Sequence, residues 1–274
     1  MTVNVDSLNE NFWLRLFPAS DYRMPMNVYR GNAQVFWSNS SDAHRVSAER
    51  RRWLDEAPQR HLLFSPEAQP AIAEAVEWFS SLLGQSFADA RDVASRVEPD
   101  WVLLNGDVER GFPVLGGAVV FPSNWALKEK LHRPLAQVHE PVPGLSAALG
   151  SQITTFLSRI APGSEWERSN WGLSAEPLLN HHPALHPARL HAGVTLDTTW
   201  LRLERQFLTR LPHTQTILFG IRVTNHRLDE LLCEHPVLID RIAHAIRSMP
   251  DAMTVYKNVS TACDILIHQL ATTA

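Results

Sequence analysis

Two neighbouring stretches of sequence decide the fold: TTWLRLERQFL (residues 198–208) and, after a short gap, QTILFGIRVTN (residues 215–225). In both, apolar and polar residues alternate, and β-branched and aromatic residues are frequent, which is typical of strands. We therefore predict a β-hairpin whose strands are joined by residues 209–214. An isolated hairpin is at best marginally stable in water, so this one requires further strands and covering helices.

The alternation also assigns the polar residues of the hairpin to faces. Arg202, Glu204 and Gln206 form a polar stripe on the first strand, and Arg222 lies on the polar face of the second. If water covers this polar face, the residues are surface charges that contribute little to stability. If helices cover it, the face becomes a pocket with guanidinium donors and one carboxylate, a combination suited to binding planar carboxylates.

Helical and strand signals on both sides of the hairpin predict an α+β fold with an antiparallel sheet. Residues 1–40 look irregular, with Pro18 and Pro25. Ser65 and Ser123 are candidate helix caps, and the arginine run at residues 50–52 is expected on a solvated helix face. The remaining predicted elements are helices over residues 44–57, 66–83, 123–130, 144–160, 228–248 and 258–270 and strands over residues 101–105 and 114–121.

No boundary divides the chain, so we predict a single domain over residues 1–274. Its parts are a mostly helical N-terminal region (1–97), a core (98–226) and C-terminal helices (227–274).

Composition excludes several classes of protein. The formal net charge of −4 argues against a nucleic-acid binder that depends on neutralising phosphates. No apolar run is long enough for a membrane span, and Met1–Glu10 does not resemble a signal peptide. Cys233 and Cys263 are too few for a disulfide framework or a self-contained iron–sulfur cluster. We expect a cytoplasmic protein without nucleic-acid or membrane partners.

A proline-flanked histidine is the first candidate for chemistry. In VHEPVPG (residues 138–144), Pro141 and Pro143 are expected to keep the backbone after His139 extended and stiff. A histidine anchored in this way can present one ring nitrogen in a fixed direction, which metal ligation requires. The alternative is a histidine that only hydrogen-bonds to a turn.

A second candidate is a loop with four histidines, at positions 181, 182, 186 and 191, interleaved with Pro183 and Pro187. Imidazole clusters bind zinc or non-heme iron, but the spacing fits no helical metalloprotease motif, and a polar loop is the alternative. The chain contains no dinucleotide-binding G-x-G-x-x-G after a strand, no P-loop and no G-x-S-x-G elbow. Nine Trp and 13 His are compatible with a flat aromatic cofactor or a metal, and equally with chance composition.

Several motifs in one order resemble the alpha subunit of heme-dependent oxidative N-demethylase and its relatives. The resemblance covers roughly residues 100–260. The matching motifs are DWVLL (100–104), GAVVFPSNW (117–125), KLHRPLAQVHEPVPG (130–144), SNWG (169–172), LRLERQFLTRLP (201–212), ILFGIRVT (217–224), MP (249–250) and YK (256–257).

The resemblance implies a PAS-like sheet that holds heme b, with helices packed around it. The implied reaction is a monooxygenase-type removal of an N-methyl group from a small amine such as dimethylamine. Dioxygen is consumed, formaldehyde and the demethylated amine are released, and electrons come from reductase partner subunits with flavin and iron–sulfur groups.

The resemblance also suggests site residues. It implies His139 as the axial iron ligand, which would also make it the metal-binding residue. Further cofactor contacts are expected from Trp125, Pro141 and Arg202, and catalytic roles near dioxygen or substrate from Glu204, Arg205 and Arg222.

Two other functions remain open at this point. The first is a non-catalytic PAS-like heme sensor or ligand-binding protein, since a fold does not determine a function. The second is a non-heme metalloenzyme that uses the His181–His191 loop.

Overall fold

An antiparallel sheet runs through the part of the protein that the computed structural model describes, residues 8–24 and 26–273. In those residues the sheet has seven strands, in the order β1-β5-β6-β7-β3-β4-β2. The described residues do not include Pro25 or residues 1–7, which make up most of the stretch Met1–Glu10 considered above. The strands are β1 (Tyr29–Arg30), β2 (Leu62–Phe64), β3 (Asp100–Leu104), β4 (Val114–Ala118), β5 (Trp166–Ser174), β6 (Trp200–Arg210) and β7 (Ile217–Arg227).

The predicted hairpin is confirmed as β6 and β7, which pair from Trp200↔Arg227 to Arg210↔Ile217. On one side, β6 pairs with β5, and on the other, β7 pairs with β3. The hairpin therefore lies in the middle of the sheet with paired neighbours on both sides. Together with the helices around it, this arrangement confirms the α+β prediction.

Thirteen α-helices lie in the described residues. Seven of them overlap the predicted helices, whereas two lie within residues 1–40, which were expected to be irregular. The predicted helix over residues 228–248 is divided near Pro236, which has no backbone N–H to continue a helix. The helices are α1 (Glu10–Leu16), α2 (Ala33–Phe36), α3 (Ala43–Glu56), α4 (Pro58–His61), α5 (Gln69–Leu83), α6 (Ala90–Arg96), α7 (Leu127–Lys130), α8 (Leu135–His139), α9 (Leu145–Arg159), α10 (Leu228–Glu234), α11 (Leu238–Arg247), α12 (Asp251–Tyr256) and α13 (Cys263–Thr273).

Neither serine makes a capping hydrogen bond, although Ser65 does stand at the N-cap of the 3-10 helix Pro66–Ala68 that leads into α5. The Ser65 side chain makes no capping hydrogen bond, and its hydroxyl is buried without a partner among the described residues. The Ser123 hydroxyl instead accepts a hydrogen bond from Arg202 Nε at 2.7 Å, and α7 begins later, at Leu127. A long-range arginine contact replaces the local cap that the sequence suggested.

The arginine run is only partly solvated. Arg51 and Arg52 are exposed, whereas Arg50 is fully buried. Arg50 Nη1 lies 2.7 Å from Asp100 Oδ1, and its Nε donates to the Ala94 carbonyl at 2.7 Å. Asp100 also accepts the backbone N–H groups of Val120 and Phe121, both at 2.8 Å. Arg50 therefore fastens α3 to the start of β3, because a buried guanidinium needs acceptors.

The two faces of the central sheet are covered differently. The C-terminal helices and α1 pack on the face that carries Leu201 and Leu203, and N-terminal helices pack against Phe207 on the same face. Helices α7 to α9 pack on the opposite face against Leu208 and Phe219. No helix in the described part of the chain is long and apolar enough to cross a membrane.

Candidate functional site

The strand register separates the predicted site residues. Glu204 is paired with Val223, and Arg205 is paired with Arg222. Paired residues of neighbouring strands point to the same face, so Arg205 and Arg222 lie together on the face opposite Glu204. The expectation that Arg222 extends the polar stripe of Arg202, Glu204 and Gln206 was wrong. We call the two sides of β5–β7 the Glu204 face and the Arg205 face.

Both arginines of the Arg205 face are held by buried carboxylates. Arg205 Nη2 lies 3.0 Å from Glu167 Oε2. Arg222 Nη1 lies 2.7 Å from Glu98 Oε2, and the same guanidinium donates to the Phe36 carbonyl at 2.8 Å. These contacts join the N-terminal helical region to the sheet.

Strand β5 supplies the part of the Glu204 face that the sequence pattern did not reveal. Arg168 is paired with Gln206, Asn170 with Glu204, and Gly172 with Arg202. Gln206 Nε2 donates to Glu204 Oε2 at 3.0 Å. The signal was present in the alternation of WERSNWG (residues 166–172), but its mixture of charged residues and glycine did not stand out as a strand.

Arg168, Asn170 and Gly172 on β5 share a face of the sheet with Glu204 on β6, and we use the name recess for the part of the Glu204 face around these four residues. A Cβ atom placed on Gly172 would meet no described atom within 4 Å, beyond its chain neighbours. Asn170 is exposed although it lies within a strand paired on β6, and Glu204 is half-buried. Helices α7 to α9 pack on the other end of this face, against Leu208 and Phe219.

Lys257, just after α12, lies at the margin of this recess. Its ammonium donates a hydrogen bond to the Trp171 carbonyl and lies 5.1 Å from the centroid of the Trp171 ring. Burial lowers the pKa of Lys257 to about 8; Glu204 opposes this shift, and the charge of Arg168 adds to it. Burial also lowers the pKa of Arg168, again opposed by Glu204. The three charged side chains therefore influence one another.

His139 is the last residue of α8 and lies close enough to Arg168 to be affected by its charge. Burial, followed by the charges of Arg168 and Lys130, lowers the pKa of His139 to about 4. The imidazole is therefore neutral at pH 7, the form that binds a metal. No hydrogen bond to its ring is made by any residue within 8–24 or 26–273.

The backbone after His139 differs from the prediction. Glu140 is helical, with φ −52° and ψ −39°, rather than extended. The Val142 N–H donates to the His139 carbonyl at 2.9 Å, so a tight turn continues beyond the helix. This hydrogen bond offsets the steric cost of a helical residue before Pro141. His139 is anchored by a helix end and a turn, not by an extended segment.

The other predicted cofactor contacts lie in different surroundings. Trp125 and Val138 are partly buried and pack against the same apolar cluster as Leu127 and Leu208. Pro141 is exposed. Trp125 therefore contributes to the apolar wall beneath α8, on the same face of the sheet as Glu204.

Arg202 lies on the Glu204 face but binds protein carbonyls. Its guanidinium donates to Ser123 Oγ at 2.7 Å, to the Leu179 carbonyl at 2.7 Å and to the Phe121 carbonyl at 3.1 Å. Burial lowers the pKa of Arg202 to about 10, with Glu204 acting in the opposite direction. These hydrogen bonds connect two loops to β6. They use most of the N–H donors of the guanidinium, so few remain for a ligand.

The histidine-rich loop does not assemble a metal centre. His181 Nε2 is 3.6 Å from Glu176 Oε1, and His182 Nδ1 accepts the Ala184 N–H at 3.2 Å. His186 and His191 are exposed. Across residues 8–24 and 26–273, no group of three or more His, Cys, Asp or Glu side chains is placed to hold a metal ion. This geometry does not support the loop-based metalloenzyme.

The recess fits the requirements of a heme site. Heme needs a neutral histidine ligand, an apolar wall, an open coordination side and cationic partners for its propionates. His139 supplies the first, and Trp125 and Val138 supply the second. The space beside Gly172 is available for the open side. Arg168, whose Nε has no partner among the described residues, is available as a cationic partner for a propionate.

A comparison with protein families agrees with the resemblance seen in the sequence. A family model described as haem-dependent oxidative N-demethylase, alpha subunit-like, matches residues 90–267. The matched region contains α6 to α12, strands β3 to β7 and every residue of the recess. The chain belongs to the haem-dependent oxidative N-demethylase alpha subunit-like family.

Proposed function

We propose that this protein is a heme-dependent monooxygenase of the oxidative N-demethylase type. It uses dioxygen and external electrons to convert a small methylated amine to formaldehyde and the demethylated amine. The observation that carries this proposal is a neutral histidine, His139, next to an open recess whose floor bears one carboxylate, Glu204. Membership of the family supports the same chemistry.

In this proposal His139 would hold the iron of heme b, and Trp125 and Val138 would provide apolar contact for the cofactor. Burial keeps His139 unprotonated, so its ring nitrogen is available to iron without the loss of a proton. Bound heme supplies the dioxygen and one-electron chemistry that amino-acid side chains lack. In this proposal the sheet that carries the recess is the PAS-like core that the resemblance implies.

Glu204 is the substrate-orienting residue in this account. It is half-buried, and a single side-chain hydrogen bond, from Gln206, holds its carboxylate in place. A carboxylate in the recess pairs with a protonated amine and places its N-methyl group there. Arg205 and Arg222 lie on the other face of the sheet, so we assign them a structural role and not a catalytic one.

Electrons come from a separate reductase in this proposal. The family description names an alpha subunit, and the chain has only two cysteines and no flavin or nicotinamide fingerprint. Oxidation of NADPH by the purified chain alone would contradict this part of the proposal.

The test is formaldehyde release by heme-loaded protein supplied with a reductase, dioxygen and dimethylamine. Replacing Glu204 with Gln removes the charge that orients the amine and should lower turnover about 10- to 100-fold, with heme content unchanged. Glu109→Gln, an exposed change outside the recess, is the matched control. Equal losses of heme and turnover in Glu204→Gln would make Glu204 structural. Heme binding without formaldehyde from any methylated amine would favour the sensor function instead.

A further inference from the structure

The recess holds more positive than negative charge. Arg168 and Lys257 both lie near Glu204, and their charges act on each other and on Glu204. Among the described side chains, neither Arg168 nor Lys257 has a nitrogen within 4.0 Å of a Glu204 carboxylate oxygen, so neither forms an ion pair with it. Glu204 instead accepts from Gln206 at 3.0 Å. One carboxylate therefore compensates two half-buried cations, Arg168 and Lys257, incompletely.

Arg168 has a polar atom that no described residue pairs with. Its Nε is buried and has no hydrogen-bond partner in the described part of the chain. By contrast, Arg205 and Arg222 each pair with a glutamate, and Arg202 donates to several carbonyls. A buried N–H group without an acceptor is costly, and none of the described residues supplies an acceptor for the Arg168 Nε.

We propose that Arg168 and Lys257 form a carboxylate-binding subsite in the recess, beside Glu204. A guanidinium and an ammonium that flank an open space suit a planar anion, which supplies acceptors to both. Gly172 lies on the same face of β5 as Arg168 and Asn170, and it leaves the space that such a group needs. This inference extends the proposed function by naming a charged group that the site binds.

Two ligands could supply this carboxylate. One is a propionate of heme, and the other is the carboxylate of an N-methyl amino acid, a substrate whose ammonium pairs with Glu204. Both ligands place a carboxylate between Arg168 and Lys257, and they differ only in the molecule that carries it. The experiment therefore has one arm for each ligand.

The first arm titrates heme-free protein with hemin and with hemin dimethyl ester, which lacks the propionate charges. If the propionate binds here, Arg168→Gln and Lys257→Gln each weaken hemin binding about 10- to 100-fold and leave the binding of the ester unchanged. Arg168→Lys should recover part of the affinity, because it keeps the charge. Arg159→Gln and Lys128→Gln, at exposed positions, are the matched controls.

The second arm adds N-methylglycine or its methyl ester to heme-loaded protein and follows the Soret band. If the substrate carboxylate binds here, N-methylglycine shifts the band in wild type, its ester does not, and Arg168→Gln abolishes the shift. In that case Arg168→Gln leaves hemin affinity unchanged in the first arm.

The subsite is overturned if both variants match wild type in both arms. If wild type binds no hemin, the proposed heme function fails, but calorimetry of N-methylglycine with the heme-free protein still tests the subsite. Binding that is lost in Arg168→Gln would support it, and no binding to wild type would overturn it.

Discussion

Arg205 and Arg222 lie directly opposite each other on neighbouring strands, on the face of the sheet away from Glu204. Two like charges in such positions repel each other, and each is compensated by its own buried glutamate, Glu167 or Glu98. The arrangement links the N-terminal region to the central sheet. It explains why arginines that appear in a polar strand pattern need not belong to a ligand site.

Removing Arg222 should therefore affect stability rather than cofactor binding. Arg222→Met leaves Glu98 buried without its partner, and we expect a loss of about 3–5 kcal/mol in the free energy of unfolding. Urea unfolding of wild type and Arg222→Met measures this difference in the free energy of unfolding. Arg227→Met, which breaks the solvent-accessible pairs with Asp229 and Glu230, should cost far less. Unchanged stability combined with lost hemin binding would place Arg222 in the site after all.

The tip of the central hairpin should be sensitive to acid. Glu74 on α5 accepts the His213 and Thr214 N–H groups, both at 2.7 Å. Burial alone would raise the pKa of Glu74, but hydrogen bonds from Thr214 and His213 lower it below its ordinary value of 4.5. A lowered pKa in the folded state means that this stabilisation is complete above 4.5 and is lost as pH falls through the folded-state pKa.

Glu74→Gln should accordingly destabilise the protein by about 1–3 kcal/mol at pH 7. The difference from wild type should shrink as urea unfolding is repeated at progressively lower pH below 4.5. Glu109→Gln, at an exposed position, should show no such trend. A difference that stays constant with pH would contradict the role of the Glu74 carboxylate.

Filling the recess should separate folding from cofactor binding. Gly172→Leu places a side chain where no described atom lies within 4 Å, and Gly172 has no left-handed backbone conformation. We expect the free energy of unfolding to stay within about 1 kcal/mol of wild type. Hemin affinity should fall at least about tenfold, measured by absorption titration.

Two other glycines provide the comparisons for this change. Gly150→Leu, on α9, also meets no described atom within 4 Å and should leave hemin affinity unchanged. Gly220→Ala, on β7, should destabilise the fold, since its Cβ would lie 2.5 Å from the Trp37 ring. Normal hemin binding by Gly172→Leu would show that the cofactor does not use this recess.

Local patterns predicted the hairpin well, because alternation is a property of each strand alone. They could not predict that Arg222 faces away from Glu204, because the relation between the two strands depends on the register set by residues 211–216. Strand β5 was missed for a related reason. Its residues Arg168, Asn170 and Gly172 look like a polar loop until pairing with β6 places them over the recess.

Long-range contacts account for the other differences. Arg50 lies in a run of arginines, which is typical of a solvated helix face, yet its side chain is buried in an ion pair with Asp100. Ser123 resembles a helix cap, but its hydroxyl is used by Arg202. The turn after His139 depends on one hydrogen bond, from the Val142 N–H, which overcomes the extended preference before Pro141. No local pattern contains these partners.

The central claim is that His139 binds heme iron, and an absorption titration of purified protein with hemin tests it most directly. We predict a Soret band in wild type that shifts on reduction with dithionite and is lost in His139→Ala, whose unfolding curve matches wild type. His268→Ala, an exposed histidine on α13, should keep the band. An unchanged Soret band in His139→Ala, or none in wild type, would contradict the account.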